Sequence, residues 1–130
     1  MTSEFNDRTG ASVTISLDTQ APISSFVVRD AGGVVAGRAD FVDAPDTDPG
    51  RIFFHTEVGP EFSGRGLAGL LVREALADTI RHGLIAVPVC PLFAEHLRQH
   101  GDEFLAAGGR FRQPTRADFV IVKRAVALDA

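Results

Sequence analysis

Seven residues, Ser63-Gly64-Arg65-Gly66-Leu67-Ala68-Gly69, join the most strand-like run of this chain to its clearest amphipathic helix. The run before them, Arg51–Val58 (RIFFHTEV), is rich in residues that suit a pleated sheet. After them, Ala68, Leu71, Val72, Ala75, Leu76 and Ile80 form an apolar stripe, with Arg73, Glu74, Asp78 and Arg81 opposite. That spacing predicts a helix from Leu67 to His82, stopped by Gly83. A helix start carries amide N–H groups without internal partners and the positive end of the helix dipole. Glycines there let the backbone approach an anion without a Cβ in the way, and Arg65 adds charge. Gly64 to Gly69 also spells G-x-G-x-x-G, the dinucleotide fingerprint. That site needs an acid about 20 positions on, at the end of the next strand, which here ends in Pro88-Val89-Cys90. A Walker loop fails as well, since no Gly-Lys-Ser/Thr follows. A tight turn that merely caps a helix and a cradle for a diphosphate stay open.

The remaining chain sets the context of that loop. Residues 1–11 read as a flexible N-terminal tail, and 12–126 as one domain. Val13–Leu17 alternates apolar and polar residues, as a half-buried strand does. Ser25–Asp30 and Val34–Val42 are strand-like runs around an Ala31-Gly32-Gly33 turn. Asp43–Gly50 is a loop by composition, carrying Asp43, Asp46 and Asp48. Leu84–Val89 reads as a short buried strand, and Pro91–His100 as a second helix ended by Gly101. Residues 108–115 read as a loop, and Ala117–Arg124 (ADFVIVKR) as a closing strand. The expected fold class is mixed α/β (α+β), with antiparallel N-terminal strands followed by β-loop-α-β-α-β.

Composition narrows the functions. With 45% hydrophobic residues in 130, the chain can bury a core without disulfides, and its single cysteine, Cys90, allows no internal one. A net charge of −4 argues against a general nucleic-acid binder. The polar first residues lack a secretory layout, and no apolar run is long enough to cross a bilayer. The expected location is the cytoplasm, with no membrane partner. The four histidines show no recognisable ligand spacing, so no metal is expected.

The stretch from His55 to Ala68, followed by Val87-Pro88-Val89-Cys90-Pro91, resembles the minimal GNAT-like predicted N-acetyltransferases of the GNAT acyl-CoA N-acyltransferase superfamily, over residues 25–106. The superfamily loop reads Arg or Gln, two residues, Gly, one residue, Gly or Ala. Gly66 and Ala68 match it, and Ser63 stands where Arg or Gln is expected. The resemblance implies acetyl-CoA (coenzyme A) as co-substrate, with the pantetheine arm lying where the strand before the loop splays from the strand after the helix. It implies pyrophosphate contacts from Ser63, Gly64, Arg65, Gly66, Leu67, Ala68 and Gly69, and backbone contacts to pantetheine from Glu57 and Val58.

Amide formation from a thioester needs a base for the amine and a proton for the leaving thiolate. His55 and Glu57, two apart on a strand, share a face and form a candidate base or base-and-orienter pair; both also suit an exposed strand end. Cys90 follows the buried strand at a helix start, where a thiolate gains from the dipole, though free cysteines are more often small buried hydrophobes. The chain has no tyrosine, the usual thiolate-protonating acid of the superfamily, so that role would pass to His96 or to water. His82 and His100 are read as helix-end residues. The leading function is an N-acetyltransferase acting on a small-molecule or peptide amine by direct attack in a ternary complex. A non-catalytic acyl-CoA-binding module comes second, and a ligand-free structural domain third. The chain is expected as a monomer or as a homodimer paired through Phe119–Val122.

Overall fold

The computed structural model describes residues 2–45 and 48–129. Strands β1 (Thr2–Asn6), β2 (Ser12–Asp18), β3 (Ser24–Asp30), β4 (Val35–Ala44) and β5 (Gly50–Val58) form an antiparallel meander. The 3-10 turn Pro60–Phe62 leads through the glycine loop into α1 (Leu67–Arg81). Next come β6 (Ile85–Pro88), α2 (Pro91–Ala106), β7 (Arg110–Phe111) and α3 (Arg116–Asp129). β6 and β7 extend the sheet in parallel beyond β5, so its order follows the sequence from β1 to β7. The expected mixed α/β order is borne out, with β7 rather than Ala117–Arg124 as the closing strand.

Strand alternation sends one set of side chains to each sheet face. Val13, Ile15, Phe26, Val28, Phe41 and Phe53 meet Leu71, Ala75 and Leu76 of α1 and Phe93 and Leu97 of α2 in the main core. The Phe53 and Phe93 rings stack 4.3 Å apart. Val42, Ala44, Ile52 and Val87 face the other way, under Ile121, Val122 and Ala125 of α3.

Three expectations are corrected. The 1–11 segment contains β1, which pairs with β2 from Thr2↔Ser16 to Asn6↔Ser12. Its turn is held by Asp7, whose Oδ1 accepts from the Thr9 amide (2.8 Å), the Thr9 hydroxyl (2.6 Å) and the Ala11 amide (3.0 Å). The helix expected to end at Gly101 continues to Ala106 across a kink at His100 (φ −123°, ψ 18°). A Cβ on Gly101 would lie 3.2 Å from the Phe111 ring.

The third correction is the largest. Ala117–Arg124 is helix, not strand, so Phe119–Val122 offers no strand edge for pairing between copies. The Phe-Val-Ile-Val run has strand propensity, but Asp118, Ile121, Val122 and Ala125 recur at i, i+3, i+4 and i+7. That stripe covers apolar side chains on the second sheet face that water would otherwise meet. Thr115 starts the helix: its amide and hydroxyl donate to Asp118 Oδ2 at 2.7 and 3.1 Å. Arg112 clamps both oxygens of the same carboxylate at 2.7 and 2.9 Å. These bonds, Arg112's first, outweigh burial and hold the Asp118 pKa at about 2.

Candidate functional site

β5 carries the site because only half of it has two neighbours. Its pairing with β6 runs from Gly50↔Ile85 to Phe53↔Pro88 and stops. The amides of Val89 and Cys90 both turn back to the Phe53 carbonyl, at 3.0 and 2.8 Å, and the chain leaves into α2. β5 meanwhile continues to Val58 along β4, with a bulge that places Phe54 between Asp40↔His55 and Phe41↔Phe53. Beyond Phe53, no described strand pairs with the edge of β5 that faces away from β4. The Gly59 amide donates to Ala36 on β4 at 2.8 Å. By alternation, the backbone groups of Val58 and Thr56 then point to the open edge and those of Glu57 to β4. The Glu57 carbonyl lies so close to Gly37 that a Cβ there would sit 2.6 Å from it. The backbone of Val58 thus points into the splay, whereas that of Glu57, expected there as well, points away from it.

At the end of that edge stands the α1 start. Gly64 and Gly66 have φ of +80° and +75°, which only glycine adopts without strain, and Gly66 is the N-cap. It offers no side-chain cap, and the first turn of α1 contains no acid. Among the described residues, nothing accepts a hydrogen bond from the amides of Gly64, Arg65 or Gly66. The Ser63 amide points to Pro60 O at 3.3 Å. Val58, Phe62, Ser63, Gly64, Gly66, Leu67 and Ala68, together with Arg8, line a hollow of about 260 Å³. A Cβ on Gly64 would meet nothing within 4 Å, so this wall is open. Arg65 stacks over the Phe62 ring at 5.3 Å.

The candidate catalytic residues fall on opposite faces of β5. Thr56 points to the α1/α2 side, where its hydroxyl lies 3.5 Å from the Sγ of buried Cys90. His55 and Glu57 point to the other side, half-exposed, with Nε2 to Oε2 at 3.3 Å. A relay supports them: Glu57 Oε1 receives Arg38 at 2.6 Å, Arg38 Nε donates to Asp40 at 3.1 Å, and the Ser25 hydroxyl donates to Asp40 at 2.6 Å. A hollow of about 330 Å³ opens beside Glu57, lined by Val35–Arg38 and Val58–Pro60. His96 stands with Ala68, Gly69, Val72 and Leu92 in a groove between α1 and α2. Burial first, then the charges of His100 and Arg73, push its pKa below the ordinary histidine value, so it is neutral at neutral pH. His55 and Glu57 are thus brought together, while Cys90 and His96 belong to the other face.

Other expected features lie elsewhere. Asp43 belongs to β4, Asp48 faces Arg110 at 3.6 Å, and Asp46 lies outside the described residues. Another hollow, of about 280 Å³, lies at the far end of α1 over Ile15, Leu17 and Phe26. Its rim charges neutralise one another: Arg81 bonds Glu74 and Asp78 at 3.0 Å each. No group of three or more His, Cys, Asp or Glu among the described residues is placed to hold a metal ion. No described helix is long and apolar enough to cross a membrane. Arg8, which the sequence alone placed in a tail, reaches the loop: its amide bonds Arg65 O at 2.9 Å, and its guanidinium lies over Gly66.

The family model described as GCN5-related N-acetyl-transferase matches residues 25–106. None of the curated proteins matches the chain. Similar solved structures include a ribosomal-protein-alanine N-acetyltransferase from Brucella melitensis biovar Abortus, 16% identical over 74% of this chain and 53% of that one, with a TM-score of 0.46. A Trypanosoma brucei acetyltransferase is 17% identical over 64% of this chain and 61% of its own, with a TM-score of 0.48. AAC(6')-Iy, in complex with the bisubstrate analogue CoA-S-monomethyl-acetylneamine, is 23% identical over 75% and 67%, with a TM-score of 0.44. The chain therefore spans about half to two thirds of the length of these relatives.

Proposed function

The chain belongs to the GCN5-related N-acetyltransferase family, and from that membership we propose that it moves the acetyl group of acetyl-CoA onto an amine by direct attack in a ternary complex. Acetyl transfer is the reaction class of the family. One observation carries the finer reading: an uncapped 15-residue helix with unengaged amides stands at the end of an open strand edge.

These residues fit the coenzyme. The amides from Gly64 to Gly69 supply donors and a favourable dipole for the pyrophosphate, with Arg65 beside them. Ser63 contributes its hydroxyl at the entrance. Val58 and Thr56 offer backbone groups along the open edge for the amides of a pantetheine arm, and His96 and Leu92 wall the groove between the helices. When bound, the coenzyme supplies an activated thioester.

His55 is the general base and Glu57 its orienter, because Glu57 is fixed by Arg38 and touches the imidazole. His55 takes a proton from the acceptor ammonium. The freed nitrogen pair forms the bond to the carbonyl carbon as the C–S bond breaks, the thiolate leaves, and the nitrogen gives up its remaining extra proton to become a neutral amide. Water carries that proton to the thiolate, since the chain has no tyrosine to deliver one. The acceptor amine docks at the hollow beside Glu57. Cys90 is buried against Thr56, on the face away from His55, and serves packing there rather than accepting the acetyl group.

The reading is tested with labelled acetyl-CoA and a panel of small amines and peptide N-termini. Label should reach an amine, and Cys90→Ala should leave transfer intact. Saturable binding without transfer to any amine, or to water, would instead make the chain a non-catalytic acyl-CoA-binding module.

A further inference from the structure

The walls of the hollow beside Glu57 discriminate among amines, and this inference rests on the transferase reading above. Residues 35–37 and 58–60, which line it, carry no side chain able to form a hydrogen bond. Arg38 and Glu57 complete the lining and are bonded to each other at 2.6 Å. Asp40, the next acid on this face, is buried and bonded to Arg38 and Ser25. Asp129, at the end of α3, acts on Arg38 as well. One further carboxylate stands beside the hollow: a Cβ on Gly59 would lie 2.9 Å from Glu61 Oε1. Among the described residues, no ion pair or hydrogen bond engages the Glu61 side chain.

The β4 wall supplies a separate observation. Val34 and Val35 are 54% and 53% exposed, although the turn before them is fixed. Asp30 Oδ1 accepts from the Gly32 and Val34 amides at 2.9 Å each. Ala36 is an extra residue in β4, since the pair Val28↔Gly37 is followed by Arg29↔Val35. Such a bulge re-aims the side chains beside it. Apolar area held in water at the edge of a hollow is area that an apolar ligand group can cover. Distance sets a further limit. The hollow reaches Glu57 but not His55, and two residues along a strand span about 7 Å.

We propose that the acceptor is a primary monoamine with a compact apolar group, an aromatic ring or branched alkyl, seated against Val35, Val58 and Pro60. A flexible tether of about two to four carbons carries its nitrogen past Glu57 to His55, matching that span. The acids around Arg38, with Glu61, suit one ammonium. The further ammonium groups of a polyamine would lie on the apolar walls and lose their water there without a partner. Val35 is a specificity residue, acting on the body of the acceptor and not on the chemistry at its nitrogen.

The test compares kcat/KM for 3-phenylpropylamine, propylamine and spermidine at saturating acetyl-CoA on the full chain, with Val35→Ser and, as a control, Val120→Ser on α3. 3-Phenylpropylamine should exceed propylamine by about tenfold or more, as removal of a ring from water implies, and should exceed spermidine too. Val35→Ser should cut the 3-phenylpropylamine value about threefold or more while leaving propylamine and the acetyl-CoA KM unchanged. Val35→Ile should keep the preference, and Val120→Ser should change nothing. In NMR spectra without acetyl-CoA, 3-phenylpropylamine should shift the amides of Val35, Ala36 and Gly59. Equal values for propylamine and 3-phenylpropylamine, or a preference for spermidine, would overturn the substrate class and leave the transferase reading standing. So would shifts that spare those three amides. Transfer to no amine at all would overturn the transferase reading beneath the proposal.

Discussion

The two halves of β5 have the same strand geometry and opposite surroundings. From Gly50 to Phe53 the strand is paired on both edges and buried, and Arg51 runs through the core to Asp78 at 2.6 Å with the Phe41 ring 4.8 Å beneath its guanidinium. From His55 to Val58 it is paired on one edge, and His55 and Glu57 stand half in water. The bulge at Phe54 is the joint between them. The first half is locked into the sheet on both edges; the second holds out an open edge, which the proposed function fills with a ligand. Stability and activity should accordingly separate along one strand.

The largest test is in the buried half. Phe53→Ala removes a fully buried ring from its stack on Phe93 and should cost about 3–5 kcal/mol by urea unfolding. A loss under about 1 kcal/mol would erase the contrast between the halves. In the open half, His55→Ala should lower kcat about a hundredfold at unchanged acetyl-CoA KM, with stability within about 0.5 kcal/mol. A raised KM with normal kcat would move His55 from chemistry to binding.

The cover over the second sheet face tests both halves together, since Ile52 and Phe54 both pack in that cluster with α3 residues. Asp118 is held at about 2 against an ordinary 3.8, so its contribution is complete above about pH 4 and disappears as pH falls through 2. That difference corresponds to about 2 kcal/mol. Asp118→Asn should lose about that much at pH 7 and show a flatter acid limb in unfolding followed by fluorescence of a bound apolar dye. An unchanged acid limb would remove Asp118 as the anchor of α3. The smallest effect is expected for Cys90→Ala, which trims a small buried side chain and should cost about 1 kcal/mol of stability without lowering transfer.

Legibility followed the same division. The Gly64–Gly69 loop, the α1 stripe and the β5 run were readable because each has one period and a clear stop. α3 was not, because Phe119 to Val122 favours a strand locally while the capping pair Thr115–Asp118 and the i, i+3, i+4 burial decide for helix. The Thr-x-x-Asp spacing was the available signal. β1 was hidden for another reason. Its only apolar residue is Phe5, and its place depends on pairing with β2 and on the Asp7 turn. The Asp7-Arg8-Thr9-Gly10 run carried that turn signal, and with it Arg8. The opposite facing of His55 and Cys90 depends on the Phe54 bulge, which no period in the sequence announces.

The most direct measurement is an amide-resolved NMR titration of the chain with coenzyme A. The amides of Gly64, Arg65 and Gly66, which no described residue engages, should shift saturably and together with Val58, at the stoichiometry of one ligand per chain. Saturation with those amides unmoved, and shifts confined to the hollow at the far end of α1, would contradict the account.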